Sequence, residues 1–389
     1  MSVRKIVSWW TFVVPGVAAV ALALSWGRQI SSVWLVILAL LLVGAVLAAV
    51  HHAEAIAHHV GEPFGSLILA VAVTIIEVSL IVMLMIGGKG SAQTLARDSI
   101  FAVVMMTTCG IVGLCLLTAA RRDHHAHFNA EGTGSALAAV ILLVGLTLIL
   151  PDFTQSEASG VFSFSQLIFV GVMSLTIYAL FVFTQTVRHR DVFLPVEIDK
   201  GKRTIAEEIA EGAGAETETE EEAQAEGNGD GAHSHKLTTG ALIASLALLL
   251  VALVDVVGLA KVESPGIESL VVRFDLPPAI VGVIIALIIL LPETIAALKA
   301  ARRGHTQTSL NLAYGSAMAS IGLTIPVLAL ASHWLPGVLF LGLDPVHIVL
   351  FAMAAVISIL TIVRGRANIL QGGLHLMLFA AFLLLTILP

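Results

Sequence analysis

Two glutamates stand inside long apolar stretches, where a charge is costly. Glu77 lies in LILAVAVTIIEVSLIVMLM and Glu293 in IVGVIIALIILLPETIAAL. A carboxylate at bilayer depth costs about 2.5–3.5 kcal/mol on insertion scales, so both acids are functional candidates. Carboxylates suit hard cations, Ca²⁺ above all, and burial disfavours their charged form, so they can also take protons. We predict that the pair binds either a transported metal cation or protons. The alternative is two protonated glutamates that merely hydrogen-bond to neighbouring helices.

Hydroxyl groups near the two acids are candidates for lining the same site. Thr74 and Ser79 flank Glu77 in sequence. Pro292, just before Glu293, leaves a carbonyl about one turn upstream without its usual donor, so a break in that helix is expected. Four further hydroxyls are expected at similar depth, those of Thr107, Thr108, Ser316 and Ser320. Small residues also let membrane helices pack closely, and both interpretations of these hydroxyls stay open.

The composition excludes a soluble globular enzyme as the default. Of the 389 residues, 58% are hydrophobic and only 12% are charged, and the mean hydropathy is +0.98. Soluble domains have about 25% charged residues. The net charge of −7 and the lack of a basic stripe argue against nucleic-acid binding. The chain is therefore predicted to be a multi-span membrane protein.

Stretches long enough to cross a bilayer recur along the chain, and about 20 apolar residues suffice for a helix. We predict an all-α polytopic membrane protein with about eleven transmembrane helices. They lie near 7–26, 30–50, 65–86, 98–120, 134–151, 166–187, 238–260, 277–299, 308–331, 345–363 and 367–388. Asp255 then falls near the end of its span, where we interpret it as an interface residue.

The acidity of the chain is concentrated in one segment. Residues 188–236 contain thirteen acidic against six basic residues, so this segment is predicted to be disordered. It separates two sets of five spans, and five is odd, so the sets would have opposite orientations, as in an inverted repeat. We expect an N-terminal transmembrane helix over 1–29, a first five-helix repeat over 30–187, an acidic loop over 188–237 and a second five-helix repeat over 238–389.

The distribution of lysine and arginine predicts the orientation. With the N-terminus and the acidic loop in the cytoplasm, fifteen of the twenty basic residues fall on the cytoplasmic side. The C-terminus is then outside, and a bacterial inner membrane is the expected location.

Histidines follow the second span, at positions 51, 52, 58 and 59. His51, Glu54 and His58 would share one helical face, so a zinc site is conceivable there. The alternative function is therefore an intramembrane metal-dependent hydrolase that uses the His51–His59 cluster. The HExxH motif is absent, because Ala53 precedes Glu54, and a plain polar helix end explains the same residues.

Three stretches resemble a known family: GEPFGSLILAVAVTIIEVSLI (61–81), LARDSIFAVVMMTTCGIVGLCLL (95–117) and LPETIAALKAARRGHTQTSLNLAYGSAMASIGLTIPVLA (291–329). They are similar to the bacterial calcium/proton antiporters of the cation/calcium exchanger superfamily, the ChaA-like branch. The resemblance implies eleven helices, two inverted repeats, alternating access, and functional acids at Glu77 and Glu293. It also gives Glu54 and Glu62 as candidates for proton access.

The sequence thus predicts a secondary antiporter rather than an enzyme, exchanging Ca²⁺ for H⁺ without a cofactor. The family branch is also associated with Na⁺/H⁺ and K⁺/H⁺ exchange, so Na⁺ and K⁺ remain candidate substrates. No GxxxxGK[ST] motif is present, so nothing indicates an ATP-driven pump.

Overall fold

A computed structural model describes residues 3–28, 30–61, 64–87, 93–194, 239–334 and 338–388. Most of the predicted acidic loop lies outside the described residues. Glu62, the second candidate for proton access, also lies outside them. Within the described part, the chain is helical apart from its connections and one short antiparallel strand pair.

The described residues up to 194 form seven α-helices. The fourth and fifth of them together form a single span, which is interrupted by a π-helical turn, Met106–Ile111. The helices are α1 (Val3–Ser25), α2 (Ser32–Val60), α3 (Phe64–Gly87), α4 (Leu95–Met105), α5 (Val112–Asp123), α6 (Ala130–Val144) and α7 (Phe164–Phe183). π-Helical turns also follow α6, at Gly145–Ile149, and α7, at Thr184–Arg188.

The described residues from 239 onward form five α-helices. They are α8 (Thr239–Arg273), α9 (Ala279–Arg302), α10 (Thr306–Ala331), α11 (Pro345–Ile362) and α12 (Ile369–Ile387). Polar caps define several starts: Ser163 and Asn368 form capping boxes with Gln166 and Gln371, which satisfy the free N–H groups of α7 and α12.

The helices have the length and composition of membrane spans. Among the described residues, ten helices are long and apolar enough to cross a bilayer, and α1 adds a shorter apolar stretch, Trp9–Ser25. Large apolar side chains are exposed along them, such as Leu40, Val254, Leu360 and Met377. Such a surface suits lipid rather than water. The prediction of an all-α polytopic membrane protein with about eleven spans is confirmed.

Helix packing connects the two parts of the chain throughout. The helix α2 packs along α8, α7 along α10, α9 on α4, and α12 on α5. A two-residue strand pair, β1 (Ala126–His127) with β2 (Arg366–Ala367), ties the connections after α5 and α11 together. The α5–α12 approach is close because Gly113 and Gly372 face each other without side chains.

Two local expectations differ from the structure. The helix α9 continues through Pro292 without the expected break. The helix α8 extends to Arg273, well beyond the predicted end at residue 260, and Asp255 lies in its interior with 1% exposure. The interface interpretation of Asp255 was therefore wrong, because the charged residues Lys261 and Glu263 ended the apolar stretch but not the helix.

Candidate cation site

A cavity of about 560 Å³ lies between α3, α7, α9 and α10. Its deep end is lined by Glu77 and Glu293, which lie in the middle of α3 and α9. Its other end is lined by Arg190, just after α7, and by Thr308, in the first turn of α10. The cavity therefore connects the two acids with the face of the protein where α7 ends and α10 begins, which we call the open face.

Glu77 is buried, with 1% of its surface exposed, and it has a partner from the other half of the chain. The Ser320 hydroxyl donates a hydrogen bond to Glu77 Oε1 at 2.5 Å. A donor to a carboxylate stabilises its charged form. The bond also holds α10 against α3 at the depth of the cavity floor.

Glu293 differs from Glu77, because it is partly accessible. Its Oε2 is buried without a hydrogen-bond partner in the described part of the chain. Both Glu77 and Glu54 lie within electrostatic range of the Glu293 carboxyl. The two acids that the sequence singles out thus share one cavity, and one of them has an oxygen free for a ligand.

The structure brings some of the predicted hydroxyls to this cavity. Thr74, Ser316 and Ser320 line it, and the Thr74 hydroxyl also donates to the Ala70 carbonyl at 2.8 Å. The other three predicted hydroxyls, Ser79, Thr107 and Thr108, are not among the residues that line it. The cavity side chains offer carboxylate and hydroxyl oxygens, which are the ligands that Ca²⁺ and other hard cations prefer.

Thr107 and Thr108 occupy the π-helical turn between α4 and α5, and both hydroxyls donate to carbonyls of α4. The fully buried His375 of α12 contacts this turn, with Nδ1 3.0 Å from the Thr108 carbonyl oxygen. Its Nε2 lies 3.3 Å from Thr361 Oγ1 of α11. Since a carbonyl only accepts, Nδ1 carries the proton and Nε2 accepts from the Thr361 hydroxyl. This histidine does not stand out in the sequence, because it lies in an otherwise ordinary apolar span.

Amide side chains organise the mouth of the cavity. Gln307 Nε2 donates to Asn311 Oδ1 at 2.9 Å, and Asn311 Nδ2 donates to the Phe193 carbonyl at 2.7 Å. Gln307 Oε1 accepts from the Asn129 backbone at 2.6 Å. These bonds fix the segment after α7 to the first turns of α10. Neither amide stands out in the sequence, although Gln307 is 1% exposed in a helix that lines the site.

On the opposite face, which we call the closed face, the first turn of α4 contacts the loop before α11. Arg97 Nε donates to Asp98 Oδ1 at 2.8 Å, and its Nη1 donates to the Gly342 carbonyl at 3.1 Å. Asp344 caps α11 by accepting from the His347 backbone at 3.0 Å. Burial alone would raise the pKa of Asp344, but the hydrogen bonds from His347 and the nearby Arg97 charge lower it to about 2. The start of α4 is thus held to the loop before α11 by the Arg97–Gly342 hydrogen bond, and the Asp344 carboxylate stays charged nearby at physiological pH.

The histidine cluster after the second predicted span belongs to the end of α2. His52 is buried with Nε2 3.1 Å from the Thr11 carbonyl oxygen, whereas His51 and His58 are exposed. Across the residues that the structure describes, no three His, Cys, Asp or Glu side chains are placed to share a metal ion. The half-buried Glu54 lies within electrostatic range of His58 and Lys299, near the open face.

The fold and the sequence together define a class of transporter. The family described as "Sodium/calcium exchanger protein" matches residues 30–187 and 244–388. The chain belongs to this family, as the resemblance predicted.

Two relatives match almost the whole chain. The ionic transporter y4hA of Sinorhizobium fredii is 39% identical over 383 residues, which cover 98% of this chain and 96% of the relative. The sodium-potassium/proton antiporter ChaA of Escherichia coli is 31% identical over 377 residues, covering 96% and 95%.

Solved structures share the fold. The structure of native YfkE matches with a TM-score of 0.67 at 15% identity, covering 97% of this chain and 100% of that chain. The H⁺/Ca²⁺ exchanger CAX also gives 0.67 at 15% identity, covering 97% and 88%.

Proposed function

We propose that this protein is a secondary antiporter that exchanges a cation for protons, with Glu77 and Glu293 binding either one. The observation that carries this proposal is the shared cavity: two mid-helix carboxyls from separate halves of the chain meet at its deep end. A buried carboxyl pair is costly to leave charged and empty, so either a cation or protons must neutralise it. This requirement couples the cation flux to the proton flux.

The candidate cations are Ca²⁺, Na⁺ and K⁺. Carboxylate and hydroxyl oxygens suit Ca²⁺, which takes six to eight oxygen ligands. The names of two similar proteins describe sodium-potassium/proton and H⁺/Ca²⁺ exchange. We propose Ca²⁺ as the first substrate to test and Na⁺ and K⁺ as its competitors, with no resident cofactor.

Alternating access is supported by the asymmetry between the two faces. On the open face, the cavity reaches Arg190 and Thr308. On the closed face, Arg97 in the first turn of α4 donates a hydrogen bond to the Gly342 carbonyl in the loop before α11. We propose that residues 30–187 and 238–389 form two inverted repeats, after an N-terminal helix in 1–29. If each repeat adopted the conformation that the other has in this structure, the closed face would open and the open face would close.

The proposed orientation puts the open face in the cytoplasm. It rests on the excess of lysine and arginine in the segments that connect helices on that face, including the acidic segment 188–237. The N-terminus is then cytoplasmic, the C-terminus is outside, and the inner membrane is the proposed location.

Everted membrane vesicles test the proposal directly. Respiration acidifies their interior, and Ca²⁺, Na⁺ or K⁺ is then added separately while a pH-sensitive dye reports the gradient. We expect at least one cation to collapse the gradient in vesicles with the wild-type protein. Glu77→Gln and Glu293→Gln keep the side-chain shape but lose the charge, so each should abolish the response at normal membrane levels. Normal transport by either variant would contradict the site assignment.

A matched variant checks that loss of transport reports the site. Glu131→Gln removes a carboxyl at the first turn of α6, where Glu131 is exposed and far along the chain from both acids. We expect wild-type transport from this variant. A cation response that is the same with and without the protein would contradict antiport itself.

A further inference from the structure

The extended helix α8 carries a buried glutamate that the site does not use. Ala252, Val256, Leu259 and Glu263 lie on one face at helical spacing, and all four are at most 2% exposed. The helix packs against α1, α2 and α3. Glu263 therefore lies inside the bundle rather than in lipid or water.

Nothing in the described surroundings compensates this carboxyl. Glu263 Oε1 is buried without a hydrogen-bond partner among the described residues. The facing sequences, 9–25 of α1, 32–50 of α2 and 78–87 of α3, contain no Asp, Glu, Lys, Arg or His. On α8 itself, Lys261 is exposed with its ammonium 5.0 Å from the Trp26 ring centre, and Glu268 follows more than a turn later. A buried acid without a partner is expensive, and such groups in membrane proteins are functional candidates.

Glu263 lies in the half of α8 that is nearer the closed face. The helix α9 ends beside the start of α10 on the open face, so α9 begins, and α8 ends, on the opposite one. Gly266 lies one turn beyond Glu263. A Cβ at Gly266 would overlap the side chain of Leu35, near the start of α2. Lys261 reaches Trp26, just after α1. Glu263 is thus buried near the helix ends that surround the closed mouth.

Glu54 lies at the opposite end of the α2–α8 pair from Glu263. It lies near the end of α2 on the open face, half-buried, and within electrostatic range of Glu293. The helices α2 and α8 pack along each other and each carries one of these carboxyls, at opposite ends of the pair. One is accessible on the face that is open, and the other is buried on the face that is closed.

We propose that Glu263 binds the transported cation or proton at the mouth that is closed in this structure. When that mouth opens, water reaches the carboxyl, which takes the ion from the bath and delivers it toward Glu77. When the mouth closes, the carboxyl is buried again. This role rests on the proposed antiport, and it makes Glu263 a second ion-binding residue outside the central pair.

The test measures each face separately. Everted and right-side-out vesicles expose opposite faces to the bath, and the half-saturating Ca²⁺ concentration for proton flux is determined in both. If Na⁺ is the cation that drives flux in the wild type, Na⁺ is used instead. Loss of a charged ligand should raise this concentration for Glu263→Gln by about tenfold or more on one face, and leave the other face unchanged. Glu54→Gln should show the opposite pattern.

Asp255→Asn is the matched control. Asp255 is also a buried acid of α8 with an unpartnered oxygen, but it lies eight residues before Glu263 and therefore farther from the end of α8 on the closed face. We expect no face-specific change from this variant. If Glu263→Gln fails to insert, Glu263→Asp keeps the charge on a shorter side chain and should still change affinity on one face only.

Three results separate the possible failures. Equal changes on both faces, or no change on either, for Glu263→Gln or for Glu263→Asp would overturn the role of Glu263. A face-specific change in Asp255→Asn of the same size would overturn it as well. Absence of cation-dependent proton flux in the wild type would instead contradict the antiport on which the inference rests.

Discussion

Ser320 of α10 donates a hydrogen bond to Glu77 of α3 across 2.5 Å, joining residues that are 243 positions apart in the chain. The bond fixes one carboxylate oxygen of Glu77 with a hydroxyl from the other half of the chain. Ser320 also lines the cavity, so it lies beside any cation that binds to the Glu77 carboxyl. A small change at Ser320 should therefore affect cation binding more than folding.

Ser320→Ala should weaken the apparent affinity for the cation by roughly ten- to a hundredfold, since hydrogen bonds to charged groups contribute about 1.5–3 kcal/mol. The half-saturating cation concentration in vesicles measures this effect. Ser174→Ala is a suitable control, because Ser174 is equally buried but bonds only to the Val170 carbonyl of its own helix. An unchanged affinity in Ser320→Ala would show that the hydroxyl does not support the Glu77 carboxylate.

The contact between α5 and α12 allows a test with two neighbouring glycines. A Cβ at Gly372 would lie 2.8 Å from the Leu117 backbone nitrogen and 3.1 Å from the Gly113 carbonyl oxygen. A Cβ at Gly373 meets nothing within 4 Å. Gly372→Ala should therefore separate the helices and lower the melting temperature by several degrees, as overpacking costs about 1–3 kcal/mol.

Gly373→Ala is the control for that prediction, because it makes the same change to helix propensity at the next position. It should melt at the wild-type temperature or slightly above it. Thermal unfolding of the purified protein in detergent compares the two. Equal melting temperatures for both variants would mean that the close contact at Gly372 does not limit packing.

His375 should stabilise the same region through its two hydrogen bonds. His375→Leu leaves the Thr108 carbonyl and the Thr361 hydroxyl without their buried partner, and each unsatisfied group costs about 1–3 kcal/mol. We expect a lower melting temperature in detergent and partial recovery with His375→Gln, whose amide can both donate and accept. A Leu variant as stable as the wild type would contradict a structural role for these bonds.

Much of the fold was predictable because membrane spans are encoded locally. Each span needs a long apolar stretch, and every predicted span corresponds to a helix. The two central acids stood out as candidates in the sequence, since a carboxyl deep in an apolar stretch is unusual. Their meeting in one cavity followed from their matching positions in the two halves of the chain.

What the sequence did not predict depends on packing between distant helices. Glu263 looks like the polar end of a span, because hydropathy cannot show that α2 and α3 cover it. Ser79 and Ser320 look equally close to the acids in depth, but only Ser320 faces Glu77. The π-helical turn at Met106–Ile111 has no distinctive residue pattern, so its contact with His375 required the structure.

Competition between protons and the cation tests the central claim most directly. If both occupy Glu77 and Glu293, a lower pH fills the carboxyls with protons and the cation must displace them. The half-saturating Ca²⁺ concentration in everted vesicles should then rise as pH falls, by up to about tenfold per pH unit for each proton displaced. A monovalent cation should show a shallower slope, because it replaces fewer protons.

The measurement is the half-saturating concentration of Ca²⁺ and of Na⁺ at several values between about pH 6.5 and 8.5, with the pH gradient held constant. We predict a Ca²⁺ concentration that falls steadily as pH rises, and loss of the response in Glu77→Gln and Glu293→Gln. A half-saturating Ca²⁺ concentration that is independent of pH would show that protons and Ca²⁺ do not share the site, and would contradict the exchange mechanism proposed for this cavity.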